Sequence, residues 1–197
     1  MRAGTRIGLA VVLVALAATG CTSKDPGTAS PNTSSTAPSA SIPPRPKDLA
    51  AATVDPCTLV TSSQQTQLKV SSGGPGPGDS QTGAKSSCSY DVTDPVGYTI
   101  SVQVDPSRGI EYWLNTTGTW VARQTAVASY PAVQTVTKGE DWNQPAGSLC
   151  ETMVSTANGQ ELSVGVLPHE KDLTNTQLCD LSKQVAGLAM ATLQAKS

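Results

Sequence analysis

Few side chains in this 197-residue sequence could do chemistry, and their types limit the reactions worth considering. The one histidine, His169, stands beside Glu170 in Leu167-Pro168-His169-Glu170-Lys171. A Ser–His–acid site would use such a base, but no G-x-S-x-G turn accompanies it. A solvated loop histidine accounts for it. Carboxylate pairs occur at Glu140-Asp141 and Asp91/Asp94, and paired acids are the tools of glycoside hydrolysis. Both pairs sit in polar, turn-like surroundings, where burial does not raise a pKa as a working acid requires. Gly73-Gly74-Pro75-Gly76 lacks the Lys-Ser/Thr end of a phosphate loop, and its proline removes a backbone donor. These readings lead to an expectation of no catalytic residue, no cofactor and no enzyme.

The aromatic residues offer a binding site instead. Tyr112-Trp113 and Trp120 flank Asn115-Thr116-Thr117-Gly118, and Arg108 lies just upstream in Asp105-Pro106-Ser107-Arg108-Gly109. Clustered rings and amides can wall a sugar or lipid site, and Arg108 could meet an anionic ligand. In a chain with no Phe, three Trp and four Tyr, the rings also serve as core plugs. Asp105 is then the plain partner for Arg108. Tyr112, Trp113, Trp120 and Arg108 form the candidate ligand-binding set.

Of the five cysteines, Cys21 stands apart. Met1–Arg6 carries two arginines, and residues 7–18 follow without a charge. This is the layout of a secretory leader, and the run is shorter than the roughly 20 apolar residues a spanning helix needs. Ala18-Thr19-Gly20-Cys21 resembles a bacterial lipobox, with Ala18 where that pattern usually has Leu. The resemblance implies cleavage between Gly20 and Cys21 and attachment of a diacylglyceryl group and palmitate to Cys21. Two signals of this kind hold a protein stably on a bilayer where one acyl chain does not. The expected location is the extracytoplasmic face of the cell membrane.

The elements behind these residues follow from composition. Residues 1–20 read as the signal peptide. Residues 21–48 read as the lipidated Cys and a disordered Ser/Thr/Pro-rich tether, because a single large aliphatic residue, Ile42, cannot offset ordering entropy. Residues 49–197 read as one extracytoplasmic domain, whose eight Lys/Arg against thirteen Asp/Glu leave it near −5. Nucleic acid calls for a basic patch and is excluded.

Within the domain, Asp55-Pro56 opens a short helix or turn at 56–60, and the Thr61/Gln64 capping box opens a helix over 62–69. Residues 71–86 read as a Gly/Pro/Ser loop. Strands are predicted at 87–92, 97–105, 121–127, 132–136, 149–156 and 160–166, with a short helix at 108–114. Asn158-Gly159 signals a hairpin, because both turn positions want positive φ. Thr174 and Gln177 open the clearest helix, over 175–194, with Leu178, Leu181, Val185, Leu188 and Ala189 at helical spacing. The expected fold is α+β: an antiparallel sheet of five to six strands, with N- and C-terminal helices packed on one face.

Cys57, Cys88, Cys150 and Cys179 are even in number, and in an exported domain that predicts two disulfides. No two of them have the close spacing of a zinc site, so no metal is expected. Three connectivities are open to four cysteines, and the sequence alone does not choose. Cys57–Cys88 with Cys150–Cys179 is the pairing that would staple each terminal helix to the sheet.

Asp55-Pro56-Cys57-Thr58-Leu59-Val60-Thr61 resembles the D-P-C-x-L-L-T opening of actinobacterial envelope lipoproteins that share a domain of unknown function, the 3558 family. The likeness continues through residues 83–89, Val104–Gly109 and Tyr130-Pro131-Ala132-Val133, and covers most of residues 54–195. It implies a lipobox, a Ser/Thr/Pro tether and a two-disulfide α+β domain, without an activity. The expectation is a non-enzymatic, membrane-anchored binding or accessory module, whose partner is an envelope lipid, a glycan or a membrane protein. An envelope hydrolase or transferase is the alternative.

Overall fold

A computed structural model describes residues 41–80, 83–114 and 118–197. The leader, Gly20, Cys21 and the tether as far as residue 40 lie outside the described residues, as does the segment 115–117. Seven strands form one antiparallel sheet: β1 (Val70–Asp79), β2 (Ala84–Val92), β3 (Tyr98–Asp105), β4 (Trp120–Val127), β5 (Tyr130–Thr137), β6 (Cys150–Ala157) and β7 (Gln160–Pro168). Their order across the sheet is β1-β2-β3-β7-β6-β5-β4. Helix α1 (Ser62–Gln67) precedes the sheet, the single turn α2 (Glu111–Leu114) lies between β3 and β4, and α3 (Asn175–Ala195) closes the chain.

Seven strands replace the expected five to six, and the additional one is β1, read from the sequence as a loop. Its Gly- and Pro-rich residues, VSSGGPGPGD, pair with β2 from Val70↔Val92 to Asp79↔Ala84. Strand N–H groups alternate between the two sides, so Pro75 and Pro77, two apart, remove donors from the same side. The ladder to β2 survives, so that side is the open edge of the sheet, where proline is tolerated and discourages further pairing. The glycines allow close approach. A Cβ at Gly73 would lie 2.6 Å from Tyr90 Cδ1, and one at Gly78 would collide with the Ala84 carbonyl.

The two capping boxes form as read. Thr61 N–H donates to Gln64 Oε1 at 2.7 Å, and Thr174 N–H donates to Gln177 Oε1 at 2.9 Å. Helix α1 itself buries no residue; the core takes Leu59, Val60 and Leu68 from either side of it. Helix α3 buries Leu178, Val185, Ala186, Ala189, Met190 and Leu193 in one cluster with Ile100 and Val102 of β3, Val154 of β6, and Leu162, Val164 and Val166 of β7. A polar seam fixes its place. Ser182 Oγ donates to the Val164 carbonyl at 2.8 Å, and Gln134 Nε2 donates to the Cys179 carbonyl at 2.7 Å. Both disulfides close, Cys57–Cys88 joining the Pro56–Thr58 turn to β2, and Cys150–Cys179 joining β6 to α3.

At the β6–β7 hairpin only Gly159 has positive φ, 64°, and β6 bulges between Ser155 and Ala157. The bulge absorbs the extra residue, so Asn158 need not leave the ordinary region. A turn with two consecutive residues at positive φ stands instead between β4 and β5, at Ala128 (49°) and Ser129 (69°). Neither residue type announces such a turn.

Candidate functional site

Residues paired across neighbouring strands point to the same side of a sheet. Val102, Val164, Thr152 and Gln134 follow one another across β3, β7, β6 and β5 on the side that meets α3. The alternate row, Ser101–Gly165–Glu151–Thr135–Ala122, therefore faces the opposite side, from β3 to β4. Along that row the side chains are small or polar, with Glu151 the one carboxylate. Gly165 keeps the floor low: a Cβ there would come 3.2 Å from Leu149 Cδ1.

The β3–β4 connection folds over this face. Ile110 and Trp113 are buried with Val133 of β5 and Met153 of β6, and Leu114, Trp120 and Ala122 pack against them. Trp113 and Trp120 have ring centroids 4.9 Å apart at 57°, and Tyr112 stands edge-on to Trp113 at 5.3 Å. The Arg108 guanidinium lies 4.2 Å from the Tyr112 centroid and 5.6 Å from that of Trp113, and its Nε is 3.7 Å from Asp105 Oδ2. All four residues of the predicted binding set thus meet in one place. They divide the work: Trp113 is core, whereas Tyr112 remains 44% exposed.

Beneath the rings lie Asp105 and two acids the sequence did not single out, Glu151 and Glu161. Glu161, 1% exposed, accepts the Trp113 Nε1–H at both oxygens, at 2.8 and 3.0 Å. Burial raises its pKa to about 8, against the lowering effect of the indole hydrogen bond, with Glu151 and Asp105 adding to the rise. Asp105, its partner in the β3–β7 ladder, is also 1% exposed. Burial raises Glu151 as well, opposed by Ser163 Oγ, which donates to Oε1 at 2.6 Å. Glu151 and Glu161 occupy alternating strand positions that read as an ordinary wet face. The signal is absent because what dries that face is a distant segment.

An open pocket of about 240 Å³ sits at the edge of this layer, lined by Trp113, Trp120, Thr135, Thr137, Leu149 and Glu151 among others. Leu149 is 42% exposed there. Among the described residues no group of three or more His, Cys, Asp or Glu could hold a metal ion.

The other sequence candidates lie elsewhere. His169 Nε2 is 3.0 Å from Thr99 Oγ1, which donates to Asp91 Oδ1 at 2.8 Å, so the threonine, rather than the histidine, stands between the other two. Asp94 is an exposed partner of Lys69 at 3.9 Å. Asp141 Oδ1 caps the Asn143 N–H, and Glu140 Oε1 accepts from Ser148 Oγ at 3.2 Å. Gly73–Gly76 is strand β1.

A family model described as a protein of unknown function, DUF3558, matches residues 16–192. The chain belongs to this family. No curated protein and no solved structure matches the chain. Among the described residues of this DUF3558 protein, no helix is long and apolar enough to cross a membrane. Its domain is joined by the end of the tract read as tether: Ile42 packs on the Trp113 cluster, and Arg45 donates to Ser155 Oγ at 2.9 Å and Asn158 Oδ1 at 2.6 Å.

Proposed function

We propose that this protein is a lipid-anchored module on the extracytoplasmic face of the cell membrane, which binds an envelope ligand without transforming it. The observation that carries the binding half is the pocket beside Trp113 and Trp120, where exposed Leu149, threonine hydroxyls and Glu151 converge. Concave sites with apolar walls and a few converging polar groups are the usual form of a small-molecule site. The anchoring half rests on Ala18-Thr19-Gly20-Cys21 behind an uncharged run, which would give Cys21 a diacylglyceryl group and palmitate. An envelope lipid headgroup, a glycan or a membrane protein presenting such a group are the partners in reach of that address.

Native mass spectrometry of the detergent-extracted full chain tests both halves. The expected spectrum carries the acyl mass, lost in Cys21→Ala, and a non-covalent adduct lost in Trp120→Ala. An adduct indifferent to Trp120→Ala would remove the pocket from the proposal. The raised pKa of Glu161 favours a second reading, a hydrolase in which it donates a proton. Its burial and the Trp113 clamp on both oxygens support the non-enzymatic one. Turnover of envelope material that Glu161→Gln abolishes in a folded protein would reverse the order.

A further inference from the structure

We infer that the pocket between Trp120 and Leu149 is selective for a primary ammonium group, of the kind carried by an amino sugar or an aminoethyl headgroup. This rests on the binding reading above and gives it a chemistry. Three observations carry it. First, among the described residues lining the pocket Glu151 is the charged one, with no Lys or Arg beside it. Ser163 serves its Oε1, and among the described residues no donor reaches Oε2. A carboxylate presented this way repels phosphate and carboxylate ligands and attracts a cation or a strong hydrogen-bond donor.

Second, acids outnumber cations beneath the rings, and burial favours the protonated forms of Glu151 and Glu161. Asp105, Glu151 and Glu161 lie on the same side of the sheet, and Arg108 is the cation that acts on Glu151 and Glu161 and pairs with Asp105. A positive charge brought into the pocket would favour ionisation of Glu151 and would be held by the carboxylate it forms. Third, this aromatic cluster already holds a cation, since the Arg108 guanidinium rests on Tyr112 at 4.2 Å. Trp113 and Trp120 of the same cluster line the pocket, and indole rings attract a cation through the same quadrupole. Thr135, the neighbour of Glu151 across the β5–β6 ladder, lines the wall with Thr137, and an –NH₃⁺ group has three donors to distribute among acceptors. A quaternary ammonium has none. At about 240 Å³ the space takes a headgroup or one ring, not an acyl chain.

The test follows indole N–H signals of the full chain by two-dimensional NMR at pH 7.5. Ethanolamine is titrated against neutral ethylene glycol, and glucosamine against glucose. The Trp113 and Trp120 signals are expected to move saturably with the amines, at half-saturation concentrations at least about tenfold below those of the neutral partners. Glu151→Gln should remove most of that tenfold difference. Bicelles containing phosphatidylethanolamine rather than phosphatidylcholine separate the headgroup source from the sugar source, and a response to either supports the proposal. Equal responses to glucose and glucosamine would overturn the amine selectivity and leave the binding reading standing. Stationary Trp113 and Trp120 signals with every probe would overturn the amine proposal, while the adduct lost in Trp120→Ala would still judge the pocket. The matched probes act on the wild-type chain, so the comparison holds even if Glu151→Gln folds poorly.

Discussion

The Trp113 indole N–H donates to both carboxylate oxygens of Glu161, at 2.8 and 3.0 Å, joining the short helix after β3 to the middle of the sheet. This contact lets an acid occupy a core position. It also makes the aromatic layer sensitive to pH.

A folded-state pKa of about 8 means that native Glu161 keeps its proton after the unfolded carboxyl, near 4.5, has lost it. The stabilisation from this proton is complete below about pH 4.5 and is lost as pH rises toward 8, because the folded state then binds more protons than the unfolded one. Glu151, raised by burial, acts with the same sign. Chemical denaturation across pH 4–9 should show stability falling with pH over this window, and Glu161→Gln should flatten part of the fall. Parallel profiles for wild type and variant would sink the assignment.

Trp113→Phe keeps the ring and removes the donor, leaving the Glu161 carboxyl buried without its hydrogen bonds. The expected loss is about 1–3 kcal/mol in urea unfolding. A loss of only a few tenths would mean that the indole N–H does not satisfy Glu161.

The two disulfides enclose loops of similar length, with sequence separations of 31 and 29. Chain entropy assigns each about 3–4 kcal/mol. The Cys57→Ser/Cys88→Ser and Cys150→Ser/Cys179→Ser pairs should therefore lower stability by comparable amounts. Mixed variants, removing one cysteine from each bridge, should be less stable than either pair and should form intermolecular dimers on non-reducing gels.

Arg45 holds the stretch before Leu49 against the β6–β7 hairpin through Ser155 and Asn158. Arg45→Ala should cost about 1–2 kcal/mol. It should also speed amide hydrogen exchange at Ile42, Arg45, Lys47 and Asp48 and at Leu49, whose N–H donates to the Thr156 carbonyl at 2.8 Å. Unchanged exchange there would show that Ile42 alone holds the segment.

The β4–β5 turn places Ala128 and Ser129 at positive φ, where residues with a Cβ are strained. Asn and Gly are the residues such a two-residue turn prefers. Ala128→Asn with Ser129→Gly should raise stability by about 0.5–1 kcal/mol, read as a higher thermal midpoint.

Short-range features follow from neighbouring residue types alone. The Thr61/Gln64 and Thr174/Gln177 boxes, the alternation of Tyr98–Asp105 and the spacing of Leu178, Leu181, Val185 and Ala189 each depend on residues two to four apart, and each forms in the structure. Tertiary structure decided the rest. Val70–Asp79 is a strand only because β2 offers it an edge, while its own glycines and prolines carry no strand preference. Asp105, Glu151 and Glu161 look like wet-face residues until the β3–β4 connection lays Ile110 and Trp113 over them. A strand's alternation says which residues share a side; which side is covered, and by what, depends on a segment far away in the chain.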